Sequence, residues 1–238
     1  MTLGSEAFCE TGMAEQLSLN LPHRTALDRD SFLVSSCNAE AVALIDEWPN
    51  WRECSALIVG AAASGKSHLA AVWSSRAHAR QVYLSDLSLH LAQLIDQASA
   101  IIIEGLEQIT PENEEALFHL INAARHDDFP VLMTSQLAVS ELSIKTADLK
   151  SRLFAMPHVL LGAPDDALLG GLLAKLMRDR QLQIDRETLD YIVARIERRC
   201  DAVLLLCEEL DRRSLNEKRP ITRRLAADTL NAMQGVIS

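Results

Sequence analysis

The octapeptide Gly60-Ala61-Ala62-Ala63-Ser64-Gly65-Lys66-Ser67 constrains this chain more than any other stretch, because it matches G-x-x-x-x-G-K-S/T in full. A short apolar run, Ala56 to Val59, stands directly before it, and a helical pattern, Lys66 to His78, follows directly. A strand that turns through small residues into a helix makes a phosphate cradle: backbone N–H groups point inward and the helix N-terminus adds the positive end of its dipole. Lys66 supplies a mobile cation for the β and γ phosphates of a purine nucleotide, and Ser67 a hydroxyl for Mg²⁺. The expected nucleotide contacts are therefore Gly60, Ala61, Ala62, Ala63, Ser64, Gly65, Lys66, Ser67 and the adjoining His68. His68 reads as a packed or surface side chain and not a catalyst, since the sequence assigns it no carboxylate or nucleophile partner. Whether ADP or ATP is resident stays open.

Further apolar runs at Val82 to Leu84, Ala100 to Ile103, Val131 to Met133 and His158 to Leu161 alternate with helical patterns at Ser88 to Gln97 and Glu112 to His126. Thr110 and Pro111 form the start of the latter. Such alternation predicts a five-stranded parallel sheet flanked by helices on both faces. A helix is also expected from Ala39 to Trp48, with Asn38 as its N-cap and Pro49-Asn50 as its stop. Beyond Pro164 the strand pattern ends. Four amphipathic segments follow, about Asp165 to Arg180, Arg186 to Arg195, Asp201 to Asn216 and Thr222 to Gln234, which make a small all-helical domain. The expected organisation is a tail over 1–30, read as mobile, a nucleotide-binding domain over 31–162 and a helical domain over 163–238.

Charge narrows the partners. The net charge of −10 sits wholly in the first part: 20 acidic and 10 basic residues up to Gly162, and 13 of each beyond. An acidic surface repels phosphate backbones, so direct sequence-specific DNA binding is not expected and protein partners are. The five cysteines are scattered without CxxC or Cys/His metal spacing, and read as reduced thiols. No apolar run has the roughly 18 residues of a membrane span and the start is acidic, so no membrane association and a cytoplasmic location are expected. Met13 is an alternative start to Met1. Trp48, Trp51 and Trp73 lie outside basic stretches and read as core, and the arginines between 195 and 213 alternate with acids as on a solvated helix face.

A second metal ligand is expected at the end of a neighbouring strand, and Ala100-Ile101-Ile102-Ile103-Glu104 supplies it as Glu104. The next position, where water-activating ATPases of this type place an acid, holds Gly105. Glu107, three residues beyond Glu104, could substitute for it but is expected to point elsewhere. Without a positioned base, which contributes about 10²- to 10⁴-fold, hydrolysis by this chain alone should be slow.

With these features in place, the chain resembles the AAA+ ATPases, and among them the DnaA family of bacterial replication initiators. The stretch Phe32 to Ala39 is similar to the segment that covers the adenine in that family, with Val34 and Asn38 as the matching positions. Asp148-Leu149-Lys150-Ser151-Arg152-Leu153 is similar to its L-x-S-R-L stretch, which makes Arg152 the arginine finger that reaches into a neighbouring subunit's nucleotide. The helical segments then correspond to the AAA+ lid. The chain ends at Ser238 after the fourth of them, so the family's DNA-reading domain is not expected. Near the start, Gln16-Leu17-Ser18-Leu19-Asn20-Leu21 is similar to the Q-L-S-L-x-L motif that docks on the DNA polymerase sliding clamp (its β subunit), with Gln16, Leu17, Ser18, Leu19 and Leu21 as the contacts. This arrangement resembles that of the Hda family of regulators. The resemblance implies a negative regulator of replication initiation that, with the clamp, stimulates hydrolysis of DnaA-bound ATP by offering Arg152 in trans. Its own ATPase would be weak or absent, and a homodimer is open.

Two positions depart from the family. The polar residue at the end of the fourth strand falls on Ser135 or Gln136, neither the usual Asn or Asp. The lid arginine that touches the phosphates falls on Asp201, with Arg198 and Arg199 just upstream, so either the register shifts by two or three residues or nucleotide binding is specialised. An autonomous ATPase of helicase-loader type and a non-hydrolysing clamp-bound adaptor remain the alternatives.

Overall fold

The computed structural model describes residues 33–51, 54–217 and 219–234. The tail over 1–30, with Gln16 to Leu21, lies outside them.

Five strands form one parallel sheet: β1 (Ser55–Gly60), β2 (Arg80–Tyr83), β3 (Ile101–Glu104), β4 (Val131–Ser135) and β5 (His158–Leu161), in the order β2-β3-β4-β1-β5. β1 is interior, paired to β4 from Ser55↔Val131 and to β5 from Leu57↔His158. An interior parallel strand is covered on both faces, so it is a continuous apolar run and not an alternating one. Its side chains still divide by parity. Leu57 and Val59 join the core formed with α3 (Leu87–Gln97), α4 (Pro111–Asp127) and α5 (Ala147–Ala155), whereas Ala56 and Ile58 join the core beneath α1 (Ala39–Glu47) and α2 (Lys66–Ala77). Trp73 of α2 is fully buried there, stacked on Trp51 at 5.1 Å and edge-on to Trp48 at 6.1 Å, which is the packing role expected of the tryptophans.

The remaining helices, α6 (Asp166–Asp179), α7 (Arg186–Val193), α8 (Cys200–Glu217) and α9 (Arg223–Gln234), build a core of their own from Leu169, Leu173, Ile192, Leu206, Leu210 and Leu225 among others. On their outer faces Glu209 binds Arg212 at 2.7 Å and Arg213 at 2.6 Å, and this pushes its carboxyl down to about 2. That is the paired, solvated surface the charge pattern suggests. Among the described residues, no helix is long and apolar enough to cross a membrane.

Three local features differ from the sequence expectation. The edge strand runs Arg80–Tyr83, so Leu84 leaves the strand for a single 3₁₀ turn (Leu84–Asp86) and enters the core from there. α5 went unread as a helix, since only Leu149 and Leu153 mark its buried side. Asn38 occupies the position before α1, but its amide bonds backwards: Oδ1 accepts the Ser35 N–H at 2.8 Å and Nδ2 donates to the Leu33 carbonyl at 2.9 Å. It closes the 33–38 turn and leaves the helix end uncapped by its side chain.

One carboxylate joins that turn to the helical segments. Asp165 caps α6 by accepting the Leu168 N–H at 2.7 Å, and its other oxygen accepts the Ser36 hydroxyl at 2.9 Å. The Leu168 bond, then the serine hydroxyls, hold its carboxyl below the usual aspartate range. Replacing an N-cap aspartate by alanine costs about 0.5–2 kcal/mol, and about 1 kcal/mol shifts Tm by roughly 2–4 °C at this chain length. Asp165→Ala should therefore melt a few degrees below the wild type at pH 7 by calorimetry. Because the folded pKa is depressed, the contribution is complete above the unfolded value of about 3.9 and is lost as pH falls through the folded one, so the two melting curves should converge in acid.

Candidate functional site

The cleft lies at the C-terminal ends of β1, β3 and β4, where open parallel sheets bind ligands. It has a volume of about 240 Å³, and Lys66, Ser67, Glu104, Glu107, Thr134 and Gln136 are among its walls. The loop geometry explains its glycines. A Cβ on Gly60 would stand 2.8 Å from the Leu161 carbonyl oxygen of β5, too close for any side chain. Gly65, just before α2, takes φ +105°, a conformation that favours glycine. The chain thus enters β1 as a packed strand and leaves through a loop that only small residues can follow.

Lys66 is 9% exposed and its Nζ donates to the loop's own carbonyls, Gly60 at 2.8 Å and Ala61 at 2.7 Å. Burial lowers its pKa, and the negative charges of Glu107 and, less strongly, Glu104 oppose that shift. An ammonium held against neutral carbonyls and facing two carboxylates is a cation positioned for a multiply charged anion such as a phosphate chain. The Ser67 hydroxyl donates to Glu104 Oε2 at 3.1 Å, while Glu104 Oε1 is buried with no hydrogen-bond partner. A buried carboxylate oxygen left unsatisfied is costly, and a hard cation beside it would remove that cost. Among the described residues no group of three or more His, Cys, Asp or Glu side chains could hold a metal. The pair Ser67 and Glu104 instead fits Mg²⁺, which takes one or two protein ligands and completes its shell with water and phosphate oxygens.

Glu107 differs from expectation. It lines the same cleft as Lys66, and its Oε2 accepts the Gln136 N–H at 2.9 Å. At the end of β4 the alternation of the strand decides which residues face the ligand: Thr134 and Gln136 line the cleft, whereas the Ser135 hydroxyl turns to the Leu137 carbonyl at 2.7 Å. The helical segments reach the loop where the Cys200 N–H at the start of α8 donates to the Ala63 carbonyl at 3.4 Å. Asp201 follows in the first turn, bound by Arg199 at 2.5 and 3.0 Å, and Arg198 is held by Asp166 at 2.5 Å. Both arginines near the expected phosphate-sensing position thus form exposed ion pairs and lie outside the cleft walls. His68 lies half-buried outside the cleft walls; burial, and then the charge of Lys175 on α6, lowers its pKa. Val34 is half exposed and Asn38 buried.

Arg152 does not line the cleft. It sits on α5 with its guanidinium 5.0 Å over the Phe118 ring and Nε 3.5 Å from Asp148, and its side chain is 27% exposed. The loop leading to α5 is fastened by Glu114, whose carboxylate accepts the Lys145 N–H at 2.8 Å, the Thr146 N–H at 3.0 Å and the Thr146 hydroxyl at 2.6 Å. Sequence reading missed both Phe118 and Glu114, because their roles come from the packing of α4 against a loop some thirty residues away.

The geometry sets two expected outcomes. Lys66→Ala should weaken ADP binding at least about tenfold by titration calorimetry, since a charge-assisted hydrogen bond is worth about 1.5–3 kcal/mol. Glu104→Gln should match the wild type in the presence of a chelator and fall below it only when Mg²⁺ is added.

A search of curated proteins finds no sequence match. Residues 170–230 match the family model for the lid domain of Hda. Among solved structures, domain III of the Thermotoga maritima replication initiation protein DnaA superposes with a TM-score of 0.76 at 15% identity, covering 89% of this chain and 98% of that one. A replication initiator DnaA bound to AMPPCP and single-stranded DNA gives 0.66 at 14% identity, with 75% of this chain and 62% of that one covered, so this chain spans about three fifths of that protein. The Thermotoga maritima RuvB Holliday junction branch migration motor gives 0.62 at 16%, covering 75% and 61%. At these identities the likeness is one of fold, an AAA+ parallel sheet flanked by helices and followed by a helical lid. The chain is thus similar to Hda over residues 170–230 and to DnaA in its fold.

Proposed function

We propose that this chain is a negative regulator of replication initiation that binds ADP or ATP with Mg²⁺ in its own cleft, docks on the sliding clamp through Gln16 to Leu21, and accelerates hydrolysis of DnaA-bound ATP. The observation that carries the reading is the match of residues 170–230 to the Hda lid family, on a fold shared with DnaA. On this reading, residues 31–162 form the nucleotide-binding domain and 163–238 the lid.

The chemistry in the partner's site falls to Arg152. A guanidinium brought to the γ-phosphate neutralises charge that develops on the transferred phosphoryl, and such fingers are worth about 10³ to 10⁵ in rate. Two properties of Arg152 support the role. It is partly exposed on α5 and outside the chain's own cleft, and it pairs with the exposed Asp148 at 3.5 Å, a pair weak enough to exchange for a phosphate. Phe118 beneath the guanidinium and Glu114 behind the preceding loop would hold the side chain near one position, so less conformational freedom is lost when it enters the partner.

Phosphate release by ATP-loaded DnaA, with clamp on DNA, measures the activity directly. Wild-type chain should accelerate it, Arg152→Ala should lower the stimulated rate by about 10³-fold or more while still binding nucleotide, and alanines at Gln16, Leu19 and Leu21 should remove the clamp-dependent part. Failure of the wild type to stimulate, or full stimulation by Arg152→Ala, overturns the reading.

A further inference from the structure

The residue after the strand-end carboxylate is Gly105, which supplies no acid, yet the structure brings one to the cleft by another route. Gly105 adopts φ +81°, and this left-handed residue turns the chain out of β3 into the 3₁₀ turn Leu106–Gln108. Leu106 is fully buried in the core, so the turn is anchored, and the next residue, Glu107, swings back to line the cleft with Lys66, Ser67 and Glu104. Its carboxylate is fixed from across the cleft, Oε2 accepting the Gln136 N–H of the chain leaving β4 at 2.9 Å. A carboxylate has two acceptor oxygens, and this bond engages one of them. Of the two acids that act on the Lys66 ammonium, Glu107 exerts the larger charge effect, so its negative charge faces the phosphate-binding cation.

We propose that Glu107 is the acid that orients and deprotonates the attacking water in this chain's own cleft, giving it a slow ATPase activity that leaves ADP in the site. The proposal rests on the reading of the cleft as a nucleotide site and is independent of Arg152 and of any partner. In the reaction the water oxygen bonds to the γ-phosphorus, the bond from that phosphorus to the bridging oxygen breaks with its electron pair passing to ADP, and the water proton goes to the Glu107 carboxylate. The rate is low for a reason visible in the same place. None of Arg152, Arg198 and Arg199 is among the cleft walls, so Lys66 stands there without an arginine to stabilise the developing charge. An acid on the wall without a finger gives hydrolysis over the lifetime of a bound nucleotide and not rapid turnover.

The test is single-turnover hydrolysis of γ-labelled ATP by the purified full chain alone, with ATP affinity measured in parallel and Lys66→Ala as the control for contaminating ATPase. Glu107→Gln retains an oxygen that accepts the Gln136 N–H and removes a charge that repels phosphate, so its melting temperature should match the wild type and its ATP affinity should be no weaker, while its rate falls about 10²-fold or more. Glu107→Ala should lose the same rate and some stability as well. Wild-type rate in Glu107→Gln, a loss confined to Glu107→Ala, or ATP bound by the wild type without hydrolysis would each overturn the proposal. Binding of ADP without ATP would also overturn it, whereas absence of both ATP and ADP binding would instead remove the nucleotide reading beneath it.

Discussion

The Lys66 ammonium, held by two carbonyls at the end of an interior strand, is the interaction on which the rest of the molecule turns. For it to sit there, β1 must be buried on both faces and must end where a loop of small residues can turn into a helix. Interior burial requires a strand on each side and helices above and below, which β4, β5 and α1 to α5 supply. The ends of β3 and β4 then stand beside the loop, and their last residues, Glu104, Thr134 and Gln136, become walls of the cleft. The acidic side chains there repel one another and a phosphate chain alike, so a divalent cation between Ser67 and Glu104 is the natural complement of this geometry.

How much of this was legible in the sequence follows from the range over which each feature is decided. The phosphate loop, the sheet and the four lid helices are set by local patterns, a full motif match, apolar runs and helical periodicity, and the structure reproduces each of them to within a few residues. Glu104 follows from the same logic, as a carboxylate closing an apolar run. Glu107 was legible as a possible substitute acid but not in its direction, because counting positions along a strand assumes the strand continues, and the left-handed Gly105 breaks that count and returns the third residue to the cleft. Asn38 was legible as a residue preceding a helix but not in the direction its amide bonds, which depends on how the 33–38 turn closes. Phe118 and Glu114 carry no sequence signal at all: α4 brings them to α5 only once the helix has packed.

The charge arrangement separates two chemistries within one small chain. In its cleft the chain has Lys66 with Glu107 near it, while Arg198 and Arg199 lie outside the cleft walls in exposed pairs with Asp166 and Asp201. Elsewhere, on α5, it carries a guanidinium stacked on an aromatic ring and only loosely paired. The Cys200 contact to Ala63 joins the lid to the phosphate loop, and Asp165 joins it to the 33–38 turn.

The central claim is that Arg152 stabilises the transition state in a partner and not its ground state, and binding to a transition-state mimic tests this most directly. The measurement is the affinity of the full chain, with clamp on DNA, for DnaA loaded with ADP and aluminium fluoride, compared with DnaA loaded with ADP alone. A finger worth about 10³ or more in rate predicts markedly tighter binding to the fluoride-bound form, with the difference lost in Arg152→Ala. Equal affinity for the two forms, or a difference that survives the loss of Arg152, would contradict the account.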